Sequence, residues 1–140
     1  MIMLIVDGNN MIFGRLASQI AKKVLRGEEV SLINAEKLVI KGDPKKIEQR
    51  YLTKRGLRNK GTPEHSPAWP KLPHLFVKRM IRGMLPRKTV RGLAALRRLM
   101  IYTGNPKNLK ENTKFEGTAF EGVESHTTIH RICKMIGYTG

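Results

Sequence analysis

The chain has 140 residues, 40% of them hydrophobic, and sets 27 Lys and Arg against 11 Asp and Glu for a formal net charge of +16. A soluble chain so basic repels itself unless a polyanion neutralises it, so nucleic acid is the first partner to consider and an anionic membrane surface the second. The single cysteine, Cys133, excludes an internal disulfide and an all-cysteine metal site and suits a reducing cytoplasm, and no run of about 18 apolar residues is present to span a bilayer.

The opening MIMLIVDGNN lacks the basic leader and small-residue cleavage site of a signal peptide, and Met3 to Val6 read as a strand buried on both faces. Leu16, Ile20 and Val24 then recur at helical spacing, with Arg15, Gln19, Lys22, Lys23 and Arg26 opposite and Gly27 as C-cap, predicting a helix over 14–26. Residues 29–34 form a second strand, which makes a right-handed parallel strand–helix–strand unit, and 38–40 a third. Pro44 suits the first turn of a helix over 44–54 with Ile47 and Tyr51 inward. Four prolines between 63 and 73, together with glycines, make 55–73 a loop that holds His65 and Trp69. Phe76, Val77, Met80, Ile81 and Met84 share one arc of a helix over 73–85 that Gly83 and Pro86 end. Thr89 caps a following helix to about Leu99, with Leu93, Leu96 and Leu99 as its apolar edge. Residues 100–102 are a fourth strand and 103–124 surface loops tacked down by Phe115 and Phe120. A last helix over 128–136 carries Ile129, Ile132, Cys133 and Ile136 inward.

Charge is distributed unevenly along this framework. Residues 1–40 hold five basic and four acidic groups, 41–98 seventeen and three, and 99–140 five and four, so a net of +14 lies in the middle segment. A face decorated only for solubility would mix both signs. The expected RNA-binding residues are Arg55, Arg58 and Lys60 in the loop, Lys78 and Arg82 on one helix, Arg87 and Lys88 in the turn, and Arg91 and Arg98 on the next helix. Arginine forks bind phosphate bidentately, and such contacts give affinity without reading sequence. Gly83 and Gly92 would allow close backbone approach. Trp69 is equally suited to core packing and to stacking on an unpaired base.

Three sharper chemistries are weaker. The segment from Asp7-Gly8 to Gly14-Arg15-Leu16 resembles a phosphate-binding loop but has one residue too many between its glycines, Arg15 for the lysine, and Leu16 where a hydroxyl is needed. His126 and His130 stand four apart without an acidic or cysteine partner at ligand spacing, so no metal site is expected. Cys133 on an apolar stripe reads as a small buried hydrophobe, and the scattered carboxylates offer no acid–base pair. No catalytic residue and no cofactor are expected.

The stretch IRGMLPRKTVRGLAALRRLMIYTG (81–104) resembles the signature of the large-subunit ribosomal protein L-thirteen family, and VDGNNMIFGRLAS and INAEKLVIKG resemble its first three strands and first helix, in order. The short connection between first helix and second strand, and the ending from Thr128 to Gly137, resemble the archaeal type. The resemblance implies an α/β domain of three layers, α/β/α, with a four-stranded mainly parallel sheet, a basic loop and a helical C-terminal extension. It further implies a non-enzymatic, cytoplasmic constituent of the large ribosomal subunit that binds its RNA early in assembly beside neighbouring ribosomal proteins. One domain over 1–140 is expected, an α/β core to 104 and surface loops and a helix beyond. The alternatives are a nucleotide-using enzyme on a doubly wound fold and a protein of the membrane surface.

Overall fold

The computed structural model describes residues 3–139. Strand β1 (Met3–Asp7) leads to helix α1 (Phe13–Leu25) and strand β2 (Glu29–Ile33). A 3-10 turn over Ala35–Lys37 precedes β3 (Val39–Lys41), and α2 follows (Pro44–Gly56). After the proline-rich loop come α3 (Pro73–Arg82), α4 (Val90–Arg98) and β4 (Leu99–Ile101), and β5 (His126–Thr128) runs into α5 (Ile129–Met135).

Period-2 alternation decides what the sheet buries. β1, β2 and β4 pair in parallel in that order, with Leu4 beside Val30 and Val30 beside Leu99, and Val6, Leu32 and Ile101 aligned one step on. These six residues meet Leu16, Ile20 and Val24 of α1 and Phe76, Val77 and Ile81 of α3 in one hydrophobic core. Each fully buried aliphatic side chain there contributes about 1.5–3 kcal/mol of transfer free energy. Ala35, Leu38, Ile129, Ile132 and Cys133 extend the same core to α5.

One feature of the expected architecture is corrected. The main sheet has three strands: β3 pairs antiparallel with β5, Val39 opposite Thr128, and meets the segment before α1 through a parallel bridge to Ile12 and the Val39 N–H donated to the Met11 carbonyl at 2.8 Å. The cause is local, since Asn34 adopts a left-handed φ of 54° and the 3-10 turn after it carries the chain off the sheet edge. On the alternate face Met3 and Met100, in the two edge strands, are each 45% exposed, whereas Ser31 and Ile33 of the central strand are buried, so burial on that face is confined to the middle of the sheet.

The predicted helices are present within one to three residues of their expected ends, and the Thr89 cap forms as expected, its Oγ1 accepting the Gly92 N–H at 3.2 Å. Phe120 is buried and Phe115 half-buried, as their tacking role requires. Two apolar assignments are corrected: Met84 and Leu93 are 43% and 50% exposed, because α3 ends before Met84 and α4 turns Gly92 and Ala95 inward instead.

Candidate nucleic-acid interface

The proline-rich loop is held from both ends. Asn59 donates its backbone N–H to Ser66 Oγ at 2.7 Å and its Nδ2 to the His65 carbonyl at 3.0 Å. Arg55, in the last turn of α2, donates Nη1 to the Trp69 carbonyl, and Arg79 on α3 donates Nη1 to the Ala68 carbonyl. The Trp69 ring lies under the Arg79 guanidinium (4.5 Å to the centroid) and beside Lys54 Nζ (5.0 Å), with Tyr51 and Phe76 at its edges (5.6 Å each). Of the two roles open to Trp69, the structure gives it the packing role.

From this clamp the expected cations fan out. Arg58 and Lys60 are exposed at the loop tip, and Arg87, Lys88 and Arg91 are exposed on the α3–α4 turn and the start of α4. Lys78 and Arg82 are half-buried and, with Arg79, Pro70, Leu75 and Leu96, line an open pocket of about 300 Å³. Arg82 Nε is buried there without a hydrogen-bond partner. Desolvation, and then the like charges of Arg82 and Arg87, pull the Arg79 guanidinium below its ordinary value. Arg79 and Arg82 therefore share one pocket at the end of α3, with Arg87 near enough to add its like charge. The ion pairs among the described residues use Lys23, Lys41, Lys114 and Arg131, so no carboxylate lies within 4.0 Å of this cluster.

Other expected site residues have internal duties. Arg98 reaches across to α1 and donates Nη1 to the Val24 carbonyl at 3.1 Å, a cation on the negative end of that helix. Gly92 has no room for a side chain: a Cβ there would lie 2.0 Å from the Pro86 carbonyl oxygen, so its close approach is to the chain's own turn. Gly83 is exposed, and a Cβ there would come no nearer than 3.4 Å to the Met80 oxygen. Sequence reasoning missed Arg79 and Arg97. Arg97 is exposed on α4, and Arg79 is legible only once the loop folds back over α3.

The strand–helix connection that resembles a phosphate loop is filled by the chain itself. The Ile12 N–H donates to the Thr118 carbonyl at 2.7 Å and the Phe120 N–H to the Asn10 carbonyl at 3.0 Å. His126 ends on β5 and His130 on α5, so the pair straddles a helix start, and no group of three metal-ligating side chains gathers among the described residues. Cys133 is fully buried and its thiol is pushed up to about 12 by desolvation. No helix of the described residues is long and apolar enough to cross a membrane.

A three-stranded parallel sheet, with Arg87, Lys88 and Arg91 exposed on the α3–α4 turn and the start of α4, defines an α/β protein with a strongly basic surface. The chain belongs to the ribosomal protein L13 family, whose profile matches residues 2–108. It is 38% identical over 141 residues to large ribosomal subunit protein uL13 of Archaeoglobus fulgidus, covering 97% of this chain and 88% of that one. It is 40% identical to uL13 of Methanococcoides burtonii over 96% of this chain and 98% of the relative, and 42% identical to uL13 of Methanocaldococcus jannaschii over the same shares. All three relatives are archaeal, as the short front predicts.

Proposed function

We propose that this protein is a non-catalytic, structural constituent of the large ribosomal subunit in the cytoplasm, which binds and stabilises folded large-subunit RNA from an early stage of assembly. The relatives' names support the setting. The observation that carries the interface is Arg79 and Arg82 in one pocket with Arg87 near enough to add its like charge, a cluster with a buried unpartnered donor and no carboxylate beside it. Such a cluster gains most from phosphate, which supplies the missing charge and the missing acceptor together. Arg58, Lys60, Lys78, Arg82, Arg87, Lys88 and Arg91 are the phosphate contacts in this reading. Arg55 and Arg98 hold the loop and α4 in place and present their remaining N–H groups, while Gly83 leaves the ridge open. The chain acts as one domain, and other large-subunit proteins are its neighbours.

Arg87, Lys88 and Arg91 are exposed, so alanine at all three tests the site without disturbing the core. Each lost phosphate contact removes about 0.9 from the slope of log affinity against log salt, so three contacts weaken binding several-hundred-fold at about 0.1 M salt. The measurement is affinity for large-subunit RNA across a salt series, with retention on large subunits through a high-salt wash beside it. A folded triple variant that binds as tightly as the parent overturns the site, and a parent found only in the soluble fraction overturns the function.

A further inference from the structure

The N-terminal forty residues carry a net charge of only +1, yet their charges are sorted in space. On α1 the residues Phe13, Leu16, Ala17, Ile20, Ala21 and Val24 are buried, and that leaves Arg15, Ser18, Gln19 and Lys22 on the outer arc, continued by Arg26 just past the helix end. At 100° per residue Arg15, Lys22 and Arg26 fall within about 40° of one another, about 10 and 6 Å apart along the axis. Three of the four acidic groups that balance them in the count are used elsewhere. Asp7 accepts from Asn34 Nδ2 at 2.9 Å, Glu36 accepts from the Gly104 N–H at 2.9 Å, and Glu28 pairs with Lys23 at 3.5 Å. No carboxylate among the described residues lies within 4.0 Å of Arg15, Lys22 or Arg26.

A second segment turns this arc into a groove. The loop at 115–117 lies along α1, with Arg15 Nη1 donating to the Gly117 carbonyl at 3.1 Å and Gln19 Nε2 to the Glu116 carbonyl at 3.2 Å. Arg15, Lys22, Lys23 and Arg26 with Phe115 line an open cleft of about 570 Å³ between the two, in which Glu116 is the one acidic lining residue against four basic ones. Backbone carbonyls fix Arg15 and Gln19, so part of the entropy of ordering these side chains is already spent before any ligand arrives. Lys22 and Arg26 are exposed, and neither forms an ion pair among the described residues.

We infer that the outer face of α1 is a second, separate phosphate-backbone site for RNA, so that this chain holds two RNA segments, one on the α3–α4 ridge and one in the α1 cleft. This rests on the proposed role as a ribosomal RNA binder and extends it from attachment to bridging. Charge-only contacts at this face carry position and no base sequence. An acidic protein tail is the competing occupant. The cleft's open form and the spread of its cations along one helix fit a continuous backbone of phosphates better than a single carboxylate cluster.

The experiment uses the full chain and large-subunit RNA. Lys22→Ala with Arg26→Ala should reduce the salt slope by about 1.8 and weaken binding about sixty-fold at about 0.1 M salt. In backbone-cleavage footprinting it should lose one set of protected nucleotides and keep those that the Arg87, Lys88 and Arg91 variant loses. An unchanged affinity and footprint in a folded double variant overturns the second site and leaves the proposed function standing. Loss of the same nucleotides in both variants overturns it as well, because one segment then touches both faces. Cross-links from Lys22 to protein and not to RNA in assembled subunits do the same. A parent protein that binds no RNA removes both readings together.

Discussion

Gly92→Ala separates a glycine needed by the fold from one needed by a ligand. Alanine in place of glycine inside a helix ordinarily stabilises by about 1 kcal/mol, and α4 starts only two residues before. Here the added methyl would lie 2.0 Å from the Pro86 carbonyl oxygen and 2.6 Å from its carbon, both backbone atoms in a turn closed by Thr89. Relief requires the turn to open or α4 to shift off Ala95 and Leu99, an overpacking cost of about 1–3 kcal/mol plus the bonds lost at the cap. With the middle of each range, and the helix gain subtracted, a net loss of about 2 kcal/mol follows. With an unfolding entropy of about 0.3 kcal/mol/K for a chain of this length, the melting temperature should fall by about 7 °C. Calorimetric melting without RNA is the assay, and Gly83→Ala is the control, since its methyl meets nothing closer than 3.4 Å and should shift the midpoint by no more than 2–3 °C, about 1 kcal/mol at most. A Gly92→Ala protein as stable as its parent, yet weakened in RNA binding, would refute the reasoning and return this glycine to the interface.

Arg79→Ala removes a hydrogen bond to the Ala68 carbonyl and the cation over Trp69, together about 2 kcal/mol, and should red-shift the fluorescence of the single tryptophan as its ring is uncovered; unchanged emission would show that the loop is held otherwise. Cys133 should resist alkylation in the native state at pH 8 and react at the rate of unfolding, because its thiol is buried and its pKa raised. The sign of the linked effect is fixed: the unfolded thiol ionises near its ordinary value of 9.0 while the folded one stays protonated to about 12, so this group's stabilisation is present below about pH 9 and is lost as pH rises from there to 12. Cys133→Ala should therefore show a shallower alkaline fall in stability than the parent, and identical alkaline profiles would contradict the shift.

Helices were legible because their apolar periodicity is long. Leu16, Ile20 and Val24 repeat over about two turns, and every one of them is buried. Short strands were less so. Val39-Ile40-Lys41 is as apolar as a central strand, but its partner is His126-Thr127-Thr128, a polar triplet that reads as a helix cap, and pairing across some 90 residues leaves no local trace. Leu93 looked inward on a helical projection because the projection cannot know that Gly92 must face Pro86. The basic ridge was visible as a sum over 41–98, whereas the α1 cleft was hidden by the same arithmetic, since Asp7, Glu28 and Glu36 cancel Arg15, Lys22 and Arg26 on paper while facing other partners.

The stitching between the two ends of the chain sets an order of events during synthesis. Asn112 Oδ1 accepts the Ile5 N–H and its Nδ2 donates to the Met3 carbonyl, Thr118 and Phe120 tie to Ile12 and Asn10, and Glu116 and Gly117 close over α1. These contacts span more than 95 residues of sequence, the kind of long loop closure that slows folding. A nascent chain can form β1, α1 and β2 early, but it leaves the edge of β1 unpaired until residues 112–120 have emerged. A newly made molecule therefore passes through an interval in which its first strand is a sticky edge, and the completed chain alone presents that edge sealed.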